Sequence, residues 1–286
     1  MAYSVKKNWI LSFEFIWTKP VVILPFFIIA FLEGLALELL NFSAKKPISI
    51  IAGPIIRKFF GENALHYPGN ILILPDLFYY AETAIYIFIS VFLIAISINV
   101  FKNIRQDLPV KRYALIKNAL KQYPSFIIFG IIMICLIVFL KNLNLLSFSK
   151  ITSFGLRHLP GIPTQLYSIA LLLCLFFSNC VLQVFLILTL PLMVIEKKSF
   201  LKALGESLYL AFRNFFSLFG LILLPYLVYF PVWLLKVESV KLAQKTFPEV
   251  ILYIIGAGII IGAVIDCFIF VCASQFILYK EIRKSS

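Results

Sequence analysis

Charge is scarce in this chain, and negative charge scarcer still. Of 286 residues 14% are charged, with 13 Asp and Glu against 26 Lys and Arg, and only 2 His. A soluble domain carries about 25% charged residues, so this composition, with a mean hydropathy of +1.00, excludes one. Acids and imidazoles are the usual material of metal centres and acid–base pairs. A Gly-rich phosphate loop, a Ser/His/Asp arrangement and a His-Glu-x-x-His pair are all missing. No catalytic residue, metal or cofactor is therefore expected. The five cysteines (Cys135, Cys174, Cys180, Cys267, Cys272) form no Cys-x-x-Cys pair and lie inside apolar runs. There they read as small packing residues rather than a disulfide framework.

Long uncharged runs fill the space that charge leaves. Residues 21–40, 79–101, 125–141, 166–195, 215–235 and 249–279 each approach or exceed what crosses about 30 Å of hydrocarbon. They show no β-alternation, and a backbone in lipid must satisfy its hydrogen bonds internally, so each is expected to be a helix. The connectors are too short for a soluble domain of about 100–150 residues. The expectation is an all-α integral membrane protein with one polytopic domain over residues 1–286.

The net charge of +13 sits in the connectors and forms no basic stripe interleaved with aromatics, so nucleic acid is not an expected partner. Topology explains it better. With the N-terminus inside, inner segments hold 16 of the 26 Lys and Arg, which favours cytoplasmic termini in an inner or plasma membrane. Lys6 and Lys7 precede a mixed segment, so the first span is expected to act as an uncleaved signal anchor.

A threefold plan is visible. Amphipathic stretches at 4–18, 110–123 and 199–214 precede spans one, three and five. Their apolar lines are Val5, Trp9, Phe13 and Trp17; Ile116, Ala119, Leu120 and Tyr123; and Leu201, Leu204, Leu208, Ala211 and Phe215. Ser199 is placed to cap the third. Lys117, Lys121, Lys202 and Arg213 suit headgroups at the inner interface. Ala114-Leu115 to Tyr123 matches Ala203-Leu204 to Phe212 at an offset of 89, and Phe129-Gly130 then matches Phe219-Gly220. On the outer side His66-Tyr67-Pro68-Gly69, His158-Leu159-Pro160-Gly161 and Thr246-Phe247-Pro248-Glu249 precede the even spans. The unit is an elbow helix, an odd span, an outer loop, a proline turn and an even span. Its three parallel copies cover approximately 1–103, 104–195 and 196–286. The longest outer loop, 41–78, is expected to hold an interfacial helix with Ile48, Ile51, Ile55 and Phe59 on one side, broken near Gly53-Pro54.

Polar residues inside the spans are few. Asp266 lies deep in span six, where an Asp costs about 2.5–3.5 kcal/mol on insertion and calls for a partner or a wet environment. Gly258, Gly262 and Asp266 share a face, and the two glycines suit close helix packing. Glu33, Asn179 and Gln183 are the candidate neighbours, giving an intramembrane polar cluster of Asp266, Glu33, Asn179 and Gln183. Interhelical hydrogen bonding is the plainer reading of it, and a polar pathway the functional one. His66 and His158 are weak metal candidates, because a site needs three or four ligands and the third copy has Thr246. Pro191, Pro225 and Pro231 can bend spans four and five.

The segment Pro191-Leu-Met-Val-Ile-Glu196-Lys-Lys-Ser199-Phe-Leu-Lys-Ala203-Leu204-Gly-Glu-Ser207-Leu-Tyr-Leu, within residues 185–225, resembles the membrane domain found beside some glycerophosphodiester phosphodiesterases. In that family a span ends in a proline and then an acid, and an amphipathic Ala-Leu-x-x-Ser helix leads into the next span. The resemblance implies a six-span bundle with elbow helices and brings no active site, because the hydrolase of those proteins is a separate soluble domain.

The first functional expectation is a non-enzymatic protein that organises a membrane assembly or its lipids. Its partners are the bilayer and, as candidates, another membrane protein or a second copy of the chain. The alternative is a transporter, lipid-handling permease or channel component, which requires a continuous polar cavity reaching Asp266.

Overall fold

The computed structural model describes the backbone of residues 5–110, 112–158 and 164–285, and the side chains of 5–110, 113–147 and 169–280. Among these residues the protein is all-helical, without a strand. Its α-helices are α1 (Val5–Thr18), α2 (Leu24–Asn41), α3 (Ser49–Phe60), α4 (Gly69–Leu72), α5 (Leu74–Ile85), α6 (Val91–Arg105), α7 (Arg112–Lys121), α8 (Tyr123–His158), α9 (Thr164–Leu186), α10 (Thr189–Ile195), α11 (Phe200–Arg213), α12 (Phe215–Val237), α13 (Ser239–Lys245) and α14 (Val250–Ser285).

Six helical segments are long and apolar enough to cross a bilayer: Pro20–Ala44, Leu74–Arg105, Tyr123–Ser147, Ile169–Ile195, Phe215–Val237 and Val250–Lys280. The chain is a multi-pass integral membrane protein. Large apolar side chains such as Phe31, Phe139, Val228 and Ile260 are exposed on the outside of the spans. Lipid is as apolar as they are, so this exposure carries no hydrophobic penalty.

Neighbouring spans touch in chain order, and the last returns to the first. Span one (α2) packs on span two (α5 and α6), two on three (α8), three on four (α9), four on five (α12), five on six (α14), and six on one. The short helices α1, α7 and α11 each lie against the end of an even span: α1 on α14, α7 on α6, and α11 on α9 and α10. Spans two and four both end in a residue with positive φ, Asp107 (52°) and Lys197 (53°). Leu108 N–H reaches back to Asn103 O at 2.8 Å, closing the end of α6 as a Schellman turn.

Three expectations about the short helices are corrected. First, the apolar lines are split between surroundings: Phe13, Trp17, Ile116, Leu120 and Leu201 are exposed, whereas Ala119 and Ala211 are buried and Val5, Trp9, Leu204 and Phe215 pack against the core. The buried faces are Asn8, Ser12 and Phe15 in α1, Leu115 and Ala119 in α7, and Ala203, Ser207, Leu210 and Ala211 in α11. In lipid the bulky residues can face outward, while small and hydrogen-bonding ones let backbones approach. Thus Asn8 Nδ2 donates to Cys272 O at 3.1 Å, and Ser207 Oγ to Phe185 O at 2.7 Å. Second, Ser199 occupies the cap position of α11 but makes no capping hydrogen bond. Third, α3 runs unbroken through Pro54, with Ile50, Ile51, Ile55 and Phe59 exposed.

The spans also depart from their expected lengths. Span two starts at Leu74 rather than 79, and α8 continues to His158, taking in sequence expected to be loop. Span four is interrupted between α9 and α10, just before Pro191, which supplies no backbone N–H. Pro225 and Pro231 lie inside an unbroken α12. Cys180, Cys267 and Cys272 are buried, whereas Cys135 and Cys174 are on the outer surface. The Pro160-Gly161 turn and the His158 side chain lie outside the described residues.

Candidate functional site

Within the ring of spans is a cavity of about 310 Å³. On α14 its lining extends from Gly258 to Phe270, about 18 Å of helix at 1.5 Å per residue. Its walls are mainly apolar and aromatic, with Phe26, Phe129, Met133 and Phe270 among them. Rings Phe26 and Phe270, 6.3 Å apart, stand towards the end where α1, α7 and α11 lie. Into this cavity project Glu33 from α2, Glu82 from α5, Gln183 from α9, Tyr226 and Tyr229 from α12, and Asp266 from α14.

Each polar group arrives by helical spacing. Tyr79, Glu82, Thr83 and Tyr86 follow one another at i, i+3, i+4 and i+7, giving span two a polar stripe on the cavity side. Tyr226 and Tyr229 do the same in α12. Gly258 and Gly262 face the Tyr229 ring. A Cβ at Gly258 would lie 3.7 Å from the Tyr229 hydroxyl, and one at Gly262 would lie 3.9 Å from the ring. These are ordinary contacts, so the two glycines make room for an aromatic side chain and do not clamp two backbones together.

The close backbone approach lies elsewhere, at Gly130 of α8. A Cβ there would stand 3.2 Å from the Ile87 Cα and 3.3 Å from Val91 Cγ2. Ile87 belongs to a π-helical turn, Tyr86–Ser90, set between α5 and α6. Such turns loosen the backbone ladder and recur at functional sites. Here Tyr123 Oη donates to Phe88 O at 2.8 Å. The turn also places Tyr86 and Ser90 on the cavity wall.

One ion pair spans the cavity's far mouth. Lys236, in the last turn of α12, donates to the Glu82 carboxylate at 2.8 and 3.1 Å, and its ammonium lies 5.4 Å from the Phe78 ring centroid. Glu33 and Asp266 make no side-chain hydrogen bond or ion pair among the described residues, and neither do the hydroxyls of Tyr86, Tyr226 and Tyr229. Glu33, Glu82, Asp266 and Lys236 together carry a charge of −2 when ionised, and a further ammonium, Lys141, stands 5.9 Å from the Tyr79 ring. A more open groove between Phe31, Leu35 and Tyr253 lies on the surface of the bundle and shares Ile259 with the cavity.

Of the four residues expected to form a polar cluster, Asp266, Glu33 and Gln183 line this cavity. Asn179 is half-buried and does not. Glu82, Lys236 and the tyrosines were not expected there. Glu82 lies close to the edge of the span that hydropathy marks, tyrosine reads as apolar, and Lys236 falls among the outer-connector cations. The i, i+3, i+4, i+7 stripe was the signal available.

A second charged group stands at the end of the bundle where α1, α7 and α11 lie. Lys198 binds Glu196 and Glu206, and Lys280 binds Glu206, with Lys280 also 3.7 Å from Glu196. The group ties the turn before α11 to the end of span six. Partial burial alone would raise the Glu206 pKa, but hydrogen bonds and charge from Lys198 and Lys280 hold it below its ordinary 4.5. For Lys198, partial burial would lower the pKa, and the bonds to Glu196 and Glu206 keep it above its ordinary 10.5.

Lys117, Lys121, Lys202 and Arg213 are exposed on α7 and α11. Among the described residues, no three His, Cys, Asp or Glu converge on a point where they could hold a metal ion. No family model, curated protein or solved structure matches the chain.

Proposed function

We propose that this is a non-enzymatic solute-binding membrane protein, a permease or channel component, working through the cavity at Asp266. One observation carries the proposal: polar groups from several spans converge, largely without partners, in a hollow inside an apolar bundle. A bundle serving only as a packing platform gains nothing from this, since each acid in a span opposes insertion. Structural carboxylates in lipid are expected to be paired, as Glu82 is with Lys236. The groove that shares Ile259 favours a solute arriving partly from the lipid side.

The architecture proposed is three parallel helix-pair repeats, each introduced by an interfacial elbow helix (α1, α7, α11). Support comes from each elbow resting on an even span, from Asp107 and Lys197 at corresponding turns, and from the match of Ala114–Tyr123 to Ala203–Phe212. With the termini cytoplasmic, the elbows lie at the inner leaflet. Their exposed aromatics then enter the acyl boundary, and Lys117, Lys121, Lys202 and Arg213 meet anionic headgroups.

The test is solvent access. The Ala263→Cys variant, with its new thiol on the cavity wall, should react with a charged methanethiosulfonate reagent in the reconstituted full chain, above the background of the parent. An inert thiol at that position in folded protein contradicts the proposal.

A further inference from the structure

The cavity's chemistry points to a narrower class of solute. Resting on the reading of a solute-binding cavity, we infer that it takes an organic cation, an amine or quaternary ammonium with an apolar body, whose charge lies between Glu33 and Asp266.

With its carboxylates ionised, the site opposes anions. Three carboxylates line the cavity and, among the described residues, no Lys or Arg does; of the two ammonium groups nearby, Lys236 is engaged by Glu82 and Lys141 stands 5.9 Å from the Tyr79 ring. An anion entering would meet Glu33 and Asp266 on a wall that holds no cation. A small hydrated ion also fits poorly. Most of the lining residues are Phe, Ile, Leu, Met, Ala and Gly, which offer no side-chain oxygen to replace a hydration shell, and the polar groups are spread over several helices and do not close on one point. Apolar walls and a volume of about 310 Å³ match the lower range of pockets for small organic molecules.

Aromatic rings supply the rest of the recognition. Tyr86, Tyr226, Tyr229 and Phe270 surround the acids, and ring faces attract ammonium groups in a desolvated site. The site already holds one such contact, the Lys236 ammonium 5.4 Å from the Phe78 ring. That ammonium, beside Glu82, is the protein's own example of the group the remaining acids can receive. Asp266 and Glu33, without a partner and inside the bundle, supply the complementary charge. Gln183 and the tyrosine hydroxyls add acceptors for N–H groups.

The experiment is calorimetric titration of the purified full chain in detergent with three probes of similar size: benzyltrimethylammonium, the neutral isostere neopentylbenzene, and benzenesulfonate. The cation should bind at least tenfold more tightly than the neutral probe, with no binding of the sulfonate. Asp266→Asn and Glu33→Gln should each weaken cation binding at least tenfold and narrow its margin over the neutral probe. Equal binding of cation and neutral probe, or preference for the sulfonate, overturns the inference. The comparison among probes uses the unmutated chain, so a variant that fails to fold does not affect it. If no probe binds while the Ala263→Cys thiol reacts, the cation assignment fails and the cavity stands. An inert thiol in that variant removes the cavity reading itself.

Discussion

Lys236 holds both oxygens of Glu82, at 2.8 and 3.1 Å, and so joins the last turn of span five to the third turn of α5. Both side chains are about one-quarter to one-third exposed, so the pair sits at the rim of the apolar region. It fixes the mouth of the cavity with one contact between segments 154 residues apart.

Breaking that pair from one side strands a charge beside hydrocarbon. Lys236→Met or Glu82→Gln should each lower stability by roughly 1–3 kcal/mol, below the 3–5 kcal/mol of fully buried pairs. The double variant should recover a large part of the loss. A thermal-unfolding double-mutant cycle in detergent measures the coupling, and additive losses would contradict it.

Two glycines that the sequence aligns should behave in opposite ways. Gly130→Ala forces a Cβ to 3.2 Å from the Ile87 backbone and should cost about 1–2 kcal/mol by overpacking. Gly220→Ala meets nothing within 4 Å and should be neutral or stabilising by up to about 1 kcal/mol, since Ala favours helix over Gly. Melting of the two variants side by side decides it.

The Glu206 cluster sets a pH window. A carboxyl held below 4.5 contributes stability that is fully present above that value and lost as pH falls through its folded pKa. Lys198, held above 10.5, contributes fully below that value and loses its contribution as pH rises through its folded pKa. The cluster is therefore intact across neutral pH and weakens on the acid side first. Glu206→Gln should lower the melting temperature at pH 7 and flatten its fall towards pH 3. An unchanged acid limb would show that Glu206 is not the titrating group.

Sidedness tests the repeat. Lys117→Cys and Lys202→Cys, on α7 and α11, should label from one face of sealed vesicles, and Lys245→Cys, at the end of α13, from the other. Labelling of the Lys117→Cys and Lys202→Cys variants from opposite faces breaks the proposed parallel arrangement.

The spans and elbows were legible because hydropathy and helical spacing are local properties. Val5–Thr18, Arg112–Lys121 and Phe200–Arg213 fall within a few residues of the amphipathic stretches marked in the sequence. Which face of each elbow is buried was not legible. Large apolar residues fall on both sides, Phe15, Leu115 and Leu210 buried and Trp17, Leu120 and Phe212 exposed, so size and hydropathy do not pick the face when lipid and not water lies outside. The site was half legible. Asp266, Glu33 and Gln183 stand out as polar residues in apolar runs, but no local pattern could say that Asn179 misses the cavity. The Lys236–Glu82 pair depends on spans five and two meeting, which only the assembled bundle decides.

Whether the cavity is wet is decided by a cysteine scan along α14 from Gly256 to Phe270, read by reaction with a charged thiol reagent that cannot enter hydrocarbon. Reactivity should recur with helical period, high at Gly258, Gly262 and Ala263 on the cavity face. Silence is expected at Ile260 and Val264, which face outward to lipid and where the thiolate cannot form. Silence along the whole face of Gly258, Gly262 and Ala263 would mean that Asp266 stands in a closed, dry bundle, and the proposed solute site would be lost.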